Sequence, residues 1–274
     1  MMNNLIPEKY FMSRFYYPRL RLINAFGRPV LIWNMGKVAS TSIARSLWRH
    51  IGRYNVLTTH FMNRDGYARS QLLYEVLIKN SNKSLPIITL TREPISKNIS
   101  SFFQNFEINV GVAPQSYKGS AQELCDHFLH EFDKHEVTTN WFDDNIKRFI
   151  GLDVYQHPFD PEKGYSIIEH GRFSLLVLRS EESDSTKSDA VKTLLKLDTF
   201  SLENENIGAN KPYSTLYSEF KKQLQLPQTY LDTMLDSKYT RHFYSPEEIG
   251  KIKDRWSPQN QSGNGSYINP APTL

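Results

Sequence analysis

One short stretch constrains the fold of this chain more than any other. An apolar run from Pro29 to Trp33 is followed by Gly36 and Lys37, then by Ser40, Thr41 and Ser42, then by apolar residues at Ile43, Leu47 and Ile51. The run reads as a buried parallel strand, and the spacing after it reads as one face of a helix. Ser40 or Thr41 suits the N-cap, so the helix is expected from about Ser42 to Arg53. The free amides of a helix N-terminus and the helix dipole favour an anion in front of them. Lys37 adds a mobile positive charge and the hydroxyls add short donors. Strand, loop and helix together suit a phosphate-like group.

The loop is not a Walker A motif, which needs Gly, four residues, then Gly-Lys-Ser/Thr. Val38 follows Gly36-Lys37, and Leu31 stands where the first glycine belongs. The hydroxyl that binds Mg²⁺ directly after the lysine is missing, so a smaller, metal-free anion is expected.

The rest of the chain repeats the alternation. A short strand, Tyr54 to Thr58, leads to His60. A helical pattern carries Leu72, Leu73, Val76 and Leu77 on one face. Leu85 to Thr91 is a strong strand, ending in Arg92-Glu93-Pro94, and Pro94 suits the first turn of a helix. In that helix Ile95, Ile99, Phe102, Phe103 and Phe106 make one apolar face. Residues Ala121 to Gly151 are helical in pattern, and the Pro- and Gly-containing stretch from Val154 to Tyr165 reads as loop. Phe173 to Leu178 is a further strand, followed by a helix from about Asp184 to Leu197. Three helical patterns close the chain: Ser214 to Leu224, Gln228 to Ser237 and Pro246 to Trp256. Residues 1–28 read as an aromatic lead-in across the sheet edge. The tail from Ser257 to Leu274 is rich in Gly, Ser, Asn and Pro and reads as disordered. The expectation is one α/β domain over residues 1–256, a P-loop-like three-layer sandwich with a central parallel sheet and extra C-terminal helices.

Composition narrows the partners. The net charge is +4 with no basic block, which suits an anionic ligand but not nucleic acid. The single cysteine, Cys125, excludes an internal disulfide and a cysteine-based zinc cluster. It falls in a helical pattern and reads as a packed core thiol. No apolar run approaches the roughly 20 residues that span a bilayer. The N-terminus lacks a signal-peptide core, so the expected compartment is the cytoplasm. His127, His130 and His135 span two helical faces and do not make a metal site.

Ligands of parallel sheets bind at the carboxyl ends of strands. Lys37, His60 and Arg92 all follow expected strand ends, which groups them. Two blocks then resemble sulfotransferases that use 3′-phosphoadenosine 5′-phosphosulfate. Lys37-Val38-Ala39-Ser40-Thr41-Ser42 resembles that family's 5′-phosphosulfate loop. Arg92-Glu93-Pro94 with Ser100 resembles its 3′-phosphate block, in which the arginine and the serine grip the 3′-phosphate. Arg92 offers a fixed fork of donors to a phosphate, and Ser96 is an alternative to Ser100. Val177-Leu178-Arg179-Ser180-Glu181 resembles a later strand with a supporting acidic residue. The wider pattern is similar to bacterial capsular polysaccharide synthesis proteins, themselves similar to carbohydrate sulfotransferases. The phrases that carry it are Trp141-Phe142-Asp143, Pro158-Phe159-Asp160, Asn210-Lys211-Pro212-Tyr213-Ser214 and Tyr239-Thr240-Arg241-His242-Phe243-Tyr244. Pro212 stands where that group's box has a tryptophan.

The resemblance implies transfer of a sulfuryl group from this donor to a carbohydrate hydroxyl, releasing 3′,5′-ADP, with no metal. Lys37 would neutralise the leaving oxygen. The amides of residues 39–42, with the hydroxyls of Ser40, Thr41 and Ser42, would hold the 5′-phosphate. His60 is the first choice of base, with Glu107 and Asp143 as alternatives. Lys211 and Tyr213 would close over the nucleotide. Trp141 and Phe142 suit a sugar groove but fit core packing better. The competing readings are a kinase-like nucleotide enzyme and a non-catalytic assembly protein that kept the fold.

Overall fold

The computed structural model describes residues 15–62, 68–203 and 214–257. In chain order the elements are α1 (Tyr17–Phe26), β1 (Val30–Trp33), α2 (Ser40–Ile51), β2 (Val56–Thr59) and α3 (Ala68–Leu73), which runs on as a π-type turn over Tyr74–Lys79. Then come β3 (Leu85–Thr91), α4 (Pro94–Gln104), α5 (Phe106–Val110), α6 (Ala121–His130) and α7 (Val137–Trp141). A second π-type stretch, Phe142–Lys147, leads into α8 (Arg148–Ile150), β4 (Tyr165–His170), β5 (Phe173–Arg179) and α9 (Asp184–Leu195). The closing helices are α10 (Ser214–Gln223), α11 (Gln228–Leu235), α12 (Lys238–Phe243) and α13 (Pro246–Trp256).

The chain makes two compact units. The first holds the sheet and is built from the described residues up to Met35, those of Ser40–Thr91 and those of Phe142–Glu203. Its five strands run in the order β2-β1-β3-β5-β4. The β1–β2, β1–β3 and β3–β5 pairs are parallel, and β4 runs antiparallel to β5. Every residue of β1 is buried, and Leu175 to Leu178 of β5 are fully buried, which is why these strands read as continuous apolar runs. The chain leaves β1 toward β2 on one side and leaves β3 toward β5 on the other. The carboxyl ends of β1 and β3 therefore form the switch point at which open α/β sheets bind ligands.

The second unit is helical and takes Gly36–Ala39, Arg92–Trp141 and the described residues after Glu203. Its core is aromatic. Phe102 meets Phe128 edge-to-face at 5.4 Å and stacks with Phe220 at 6.0 Å, while Phe103 meets Phe220 at 5.0 Å. These separations fall in the favourable range for aromatic pairs. The apolar face expected of α4 is buried at Ile95, Ile99, Phe102 and Phe103, and Phe106 of α5 joins it. Cys125 is buried with Sγ 3.6 Å from the Phe220 carbonyl.

The α/β class read from the sequence is the class observed, with three local corrections. Tyr165, read as the end of a loop, opens a strand to His170 that the sequence reading left unassigned. It lies at the sheet edge with only Ile168 buried, so it lacks an apolar run. Gly164 directly precedes it, with a φ of 72° in the left-handed region, and a Cβ there would sit 2.1 Å from the Glu182 side chain. The lead-in contains a helix, α1, anchored by buried Leu20 and Ile23. The middle segment is broken between His130 and Val137 rather than one continuous helix. The tail beyond Ser257 lies outside the described residues. Among the described residues, no helix is long and apolar enough to cross a membrane.

Candidate functional site

The loop after β1 has an unusual backbone. Gly36, Lys37 and Ala39 all adopt positive φ, at 74°, 58° and 56°. Left-handed backbone is routine for glycine but costs about 1–2 kcal/mol for residues with a Cβ. Val38 between them is not left-handed, so the sign of φ alternates toward Ser40. Alternation of this kind turns successive amides to one side and makes an anion-binding concavity. The helix α2 then begins at Ser40 itself. The three hydroxyl residues thus occupy its first turn, and left-handed Ala39 stands where a serine or threonine N-cap was expected. Thr41 is exposed, and Ser40 and Ser42 are half-buried.

Two contacts hold the loop within the helical unit. Arg92 donates from Nη1 to the Lys37 carbonyl at 2.9 Å. Lys37 donates from Nζ to Gln104 Oε1 at 2.9 Å. Lys37 and Arg92, grouped from the sequence by their strand-end positions, are therefore in direct contact. Arg92 bonds to the loop backbone, where the resemblance led us to expect a grip on a separate phosphate alone. A guanidinium carries five donors, so one bond to a carbonyl leaves capacity for an anion.

Arg92 is itself fixed from both sides of its backbone. The buried Tyr239 phenol of α12 accepts from Arg92 N–H at 3.0 Å and donates to its carbonyl at 2.9 Å. Next to it, buried Glu93 caps α4 by accepting from the amides of Ile95 at 2.7 Å and Ser96 at 3.0 Å. Glu93 also accepts from the Ser96 hydroxyl and from the Trp256 indole at 3.0 Å. Ser96 is thereby engaged in its own helix cap. Ser100 is buried on α4 at 8 % exposure.

Sequence reasoning missed four residues here. Gln104 is an ordinary exposed helix residue until its partner is known. Glu93 had a usable signal, an acidic residue directly before an N-terminal proline. Tyr239 lies 147 positions from Arg92, and nothing local announces the pairing. Lys97 is 2 % exposed, and burial together with the nearby Arg92 charge pulls its ammonium down to about 8.

The other expected residues are divided between the two units. His60 follows β2 in the sheet unit and is exposed, with Nδ1 3.2 Å from the Asn34 carbonyl. A carbonyl only accepts, so Nδ1 is the donor in this contact. Glu107 is exposed in α5 of the helical unit, and Asp143 lies in the sheet unit. Trp141 and Phe142 are buried, as core residues are. After β5, Glu181 accepts from the Ser180 hydroxyl at 3.2 Å, and Glu182 accepts from Arg179 Nε at 2.8 Å. His127 and His135 bond backbone carbonyls, at Asn109 (2.6 Å) and Phe128 (2.9 Å). Lys211 and Tyr213 lie outside the described residues.

Residues 122–245 match the family model NKWYS, described as "Putative capsular polysaccharide synthesis protein". The matched stretch contains Tyr239 but neither the Lys37 loop nor Arg92. No curated protein and no solved structure matches the chain.

Proposed function

We propose that this protein is a sulfotransferase that moves a sulfuryl group from 3′-phosphoadenosine 5′-phosphosulfate to a hydroxyl of a carbohydrate. The observation that carries the reading is the left-handed loop at Gly36–Ala39, pinned through the Lys37 carbonyl by Arg92. Backbone held in a costly conformation by a specific side chain suits a ligand cradle better than a simple connection. The match over residues 122–245 supports a polysaccharide context for the acceptor.

The residues fit such a donor. The loop amides and the first turn of α2 suit its 5′-phosphosulfate end. Arg92 and Ser100 suit its 3′-phosphate, and Lys37 suits the oxygen on which charge develops as sulfur departs. The donor, when bound, supplies the activated sulfuryl group. Lys37 reaches that work by leaving Gln104, an exposed partner that holds it in a defined position. His60 is the residue we propose as acceptor of the proton from the acceptor hydroxyl.

Transfer of labelled sulfate from the donor to a polysaccharide panel tests the activity, and Lys37→Ala is expected to abolish it while the fold is kept. Arg92→Ala is expected to weaken 3′,5′-ADP binding at least tenfold more than 5′-AMP binding, on the order of one lost charge-assisted hydrogen bond. Stabilisation by ATP with Mg²⁺ and none by 3′,5′-ADP would point to the kinase-like reading instead.

A further inference from the structure

The helix α4 carries a polar stripe that the motif comparison does not use. Lys97, Ser100 and Gln104 are spaced i, i+3 and i+7, so they lie along one face. Ile95, Ile99, Phe102 and Phe103 occupy the opposite side. Gln104 at one end of the stripe accepts from Lys37 Nζ, so this face is turned to the left-handed loop. Arg92 enters just before the other end and donates to the same loop.

Lys97 and Ser100 are both buried, at 2 % and 8 % exposure. Among the described residues, neither side chain has a hydrogen-bond or ion-pair partner. Buried ammonium groups are costly unless paired, and native proteins pair them. The charge that acts on Lys97 is the like charge of Arg92, which adds to the penalty. Two neighbouring cations and a buried hydroxyl, gathered at the start of α4 with no carboxylate among the described residues answering Lys97, describe a place that an anion completes.

We propose that Lys97, together with Ser100, is a direct ligand of the anionic group that Arg92 receives, so that this end of the site holds its phosphate with two cations. The inference rests on the reading of the site as one for a phosphorylated nucleotide, but its core is the anion, which separate probes can test. No covalent step is involved. Lys97 brings an ammonium out of an unpaired state, and the anion gains a charge-assisted hydrogen bond in surroundings poor in water.

Titration calorimetry with 3′,5′-ADP, 5′-AMP and pyrophosphate, on the parent and on Lys97→Met, Lys97→Gln and Lys97→Arg, tests this alongside unfolding without ligand. Lys97→Met is expected to be at least as stable as the parent, because it removes an unpaired buried charge and keeps the volume. It is expected to bind 3′,5′-ADP about 10- to 100-fold more weakly, the loss typical of a hydrogen bond to a charged group. Lys97→Arg is expected to recover most of that loss. A structural role would instead lower stability and affinity together. Should Lys97→Met fail to fold, Lys97→Gln gives the same comparison with polarity kept. Parent-like affinity of the folded variants for all the anions overturns the proposal, as does a parent that binds none of them. Lys97-dependent binding of pyrophosphate with no binding of 3′,5′-ADP supports the anion site while removing the nucleotide reading.

Discussion

Arg92 stands between a strand and a helix, where neither ladder supplies partners for its backbone. One phenol supplies both: Tyr239 accepts from its N–H and donates to its carbonyl. The hydroxyl has one proton and lone pairs to spare, so the arrangement is complete. Tyr239→Phe keeps the ring packed against Phe243 at 5.1 Å but leaves two backbone groups without this partner. The expected cost is about 2–6 kcal/mol in urea unfolding, at about 1–3 for each unsatisfied buried group. Loss of 3′,5′-ADP affinity should accompany it, because Arg92 then no longer holds the Lys37 carbonyl in place. An unchanged urea midpoint would show that solvent satisfies these groups instead.

At the scale of elements, the loop between β1 and α2 sets the geometry of the candidate site, and its strain is measurable. Ala39 has a Cβ in a conformation that glycine adopts freely. Ala39→Gly removes that strain but gives the unfolded chain more freedom, so the two effects partly cancel. The expected net gain is up to about 1 kcal/mol in stability. Weaker 3′,5′-ADP binding is expected with it, since the loop is then less confined to one form. Higher stability with unchanged affinity would show that the strain serves no binding purpose. This loop also marks the limit of sequence reading. Its Gly-Lys and hydroxyl pattern was legible, as were β1, β3, α4, β5 and α13, because apolar periodicity and a proline at the first turn are local signals. The position of α2 was not, since a left-handed alanine directly before a helix has no compositional signature.

For the molecule as a whole, long-range pairing decided what could not be read. Arg92 with Tyr239 and Glu93 with Trp256 are 147 and 163 positions apart. Lys97 fits the helical pattern of α4, and its burial follows only from how the unit folds. The edge strand β4 lacked an apolar run because most of it is not buried. One global property follows from Lys97. Its folded value of about 8 lies below the ordinary lysine value of 10.5, through burial first and Arg92 second. Below pH 8 the ammonium is charged in both folded and unfolded chains, and its burial penalty is fully present. Between about pH 8 and 10.5 the unfolded chain holds the proton that the folded one has released, so stability rises with pH there. The relief is on the order of 3 kcal/mol. Lys97→Met should therefore exceed the parent in stability at pH 7, with the difference shrinking toward pH 10. A difference constant across that range in paired unfolding curves would contradict this assignment.

The helical unit joins a four-residue piece from near the start of the chain to helices from its far end. During synthesis the ribosome delivers residues in order at roughly 5–20 per second. The Lys37 turn and Arg92 therefore emerge many seconds before Tyr239 and Trp256 exist. A nascent chain has its sheet strands early but lacks the phenol and the indole until the ribosome has passed Trp256. Competence to bind should thus appear late and abruptly, and a premature stop before codon 239 should yield a protein without it.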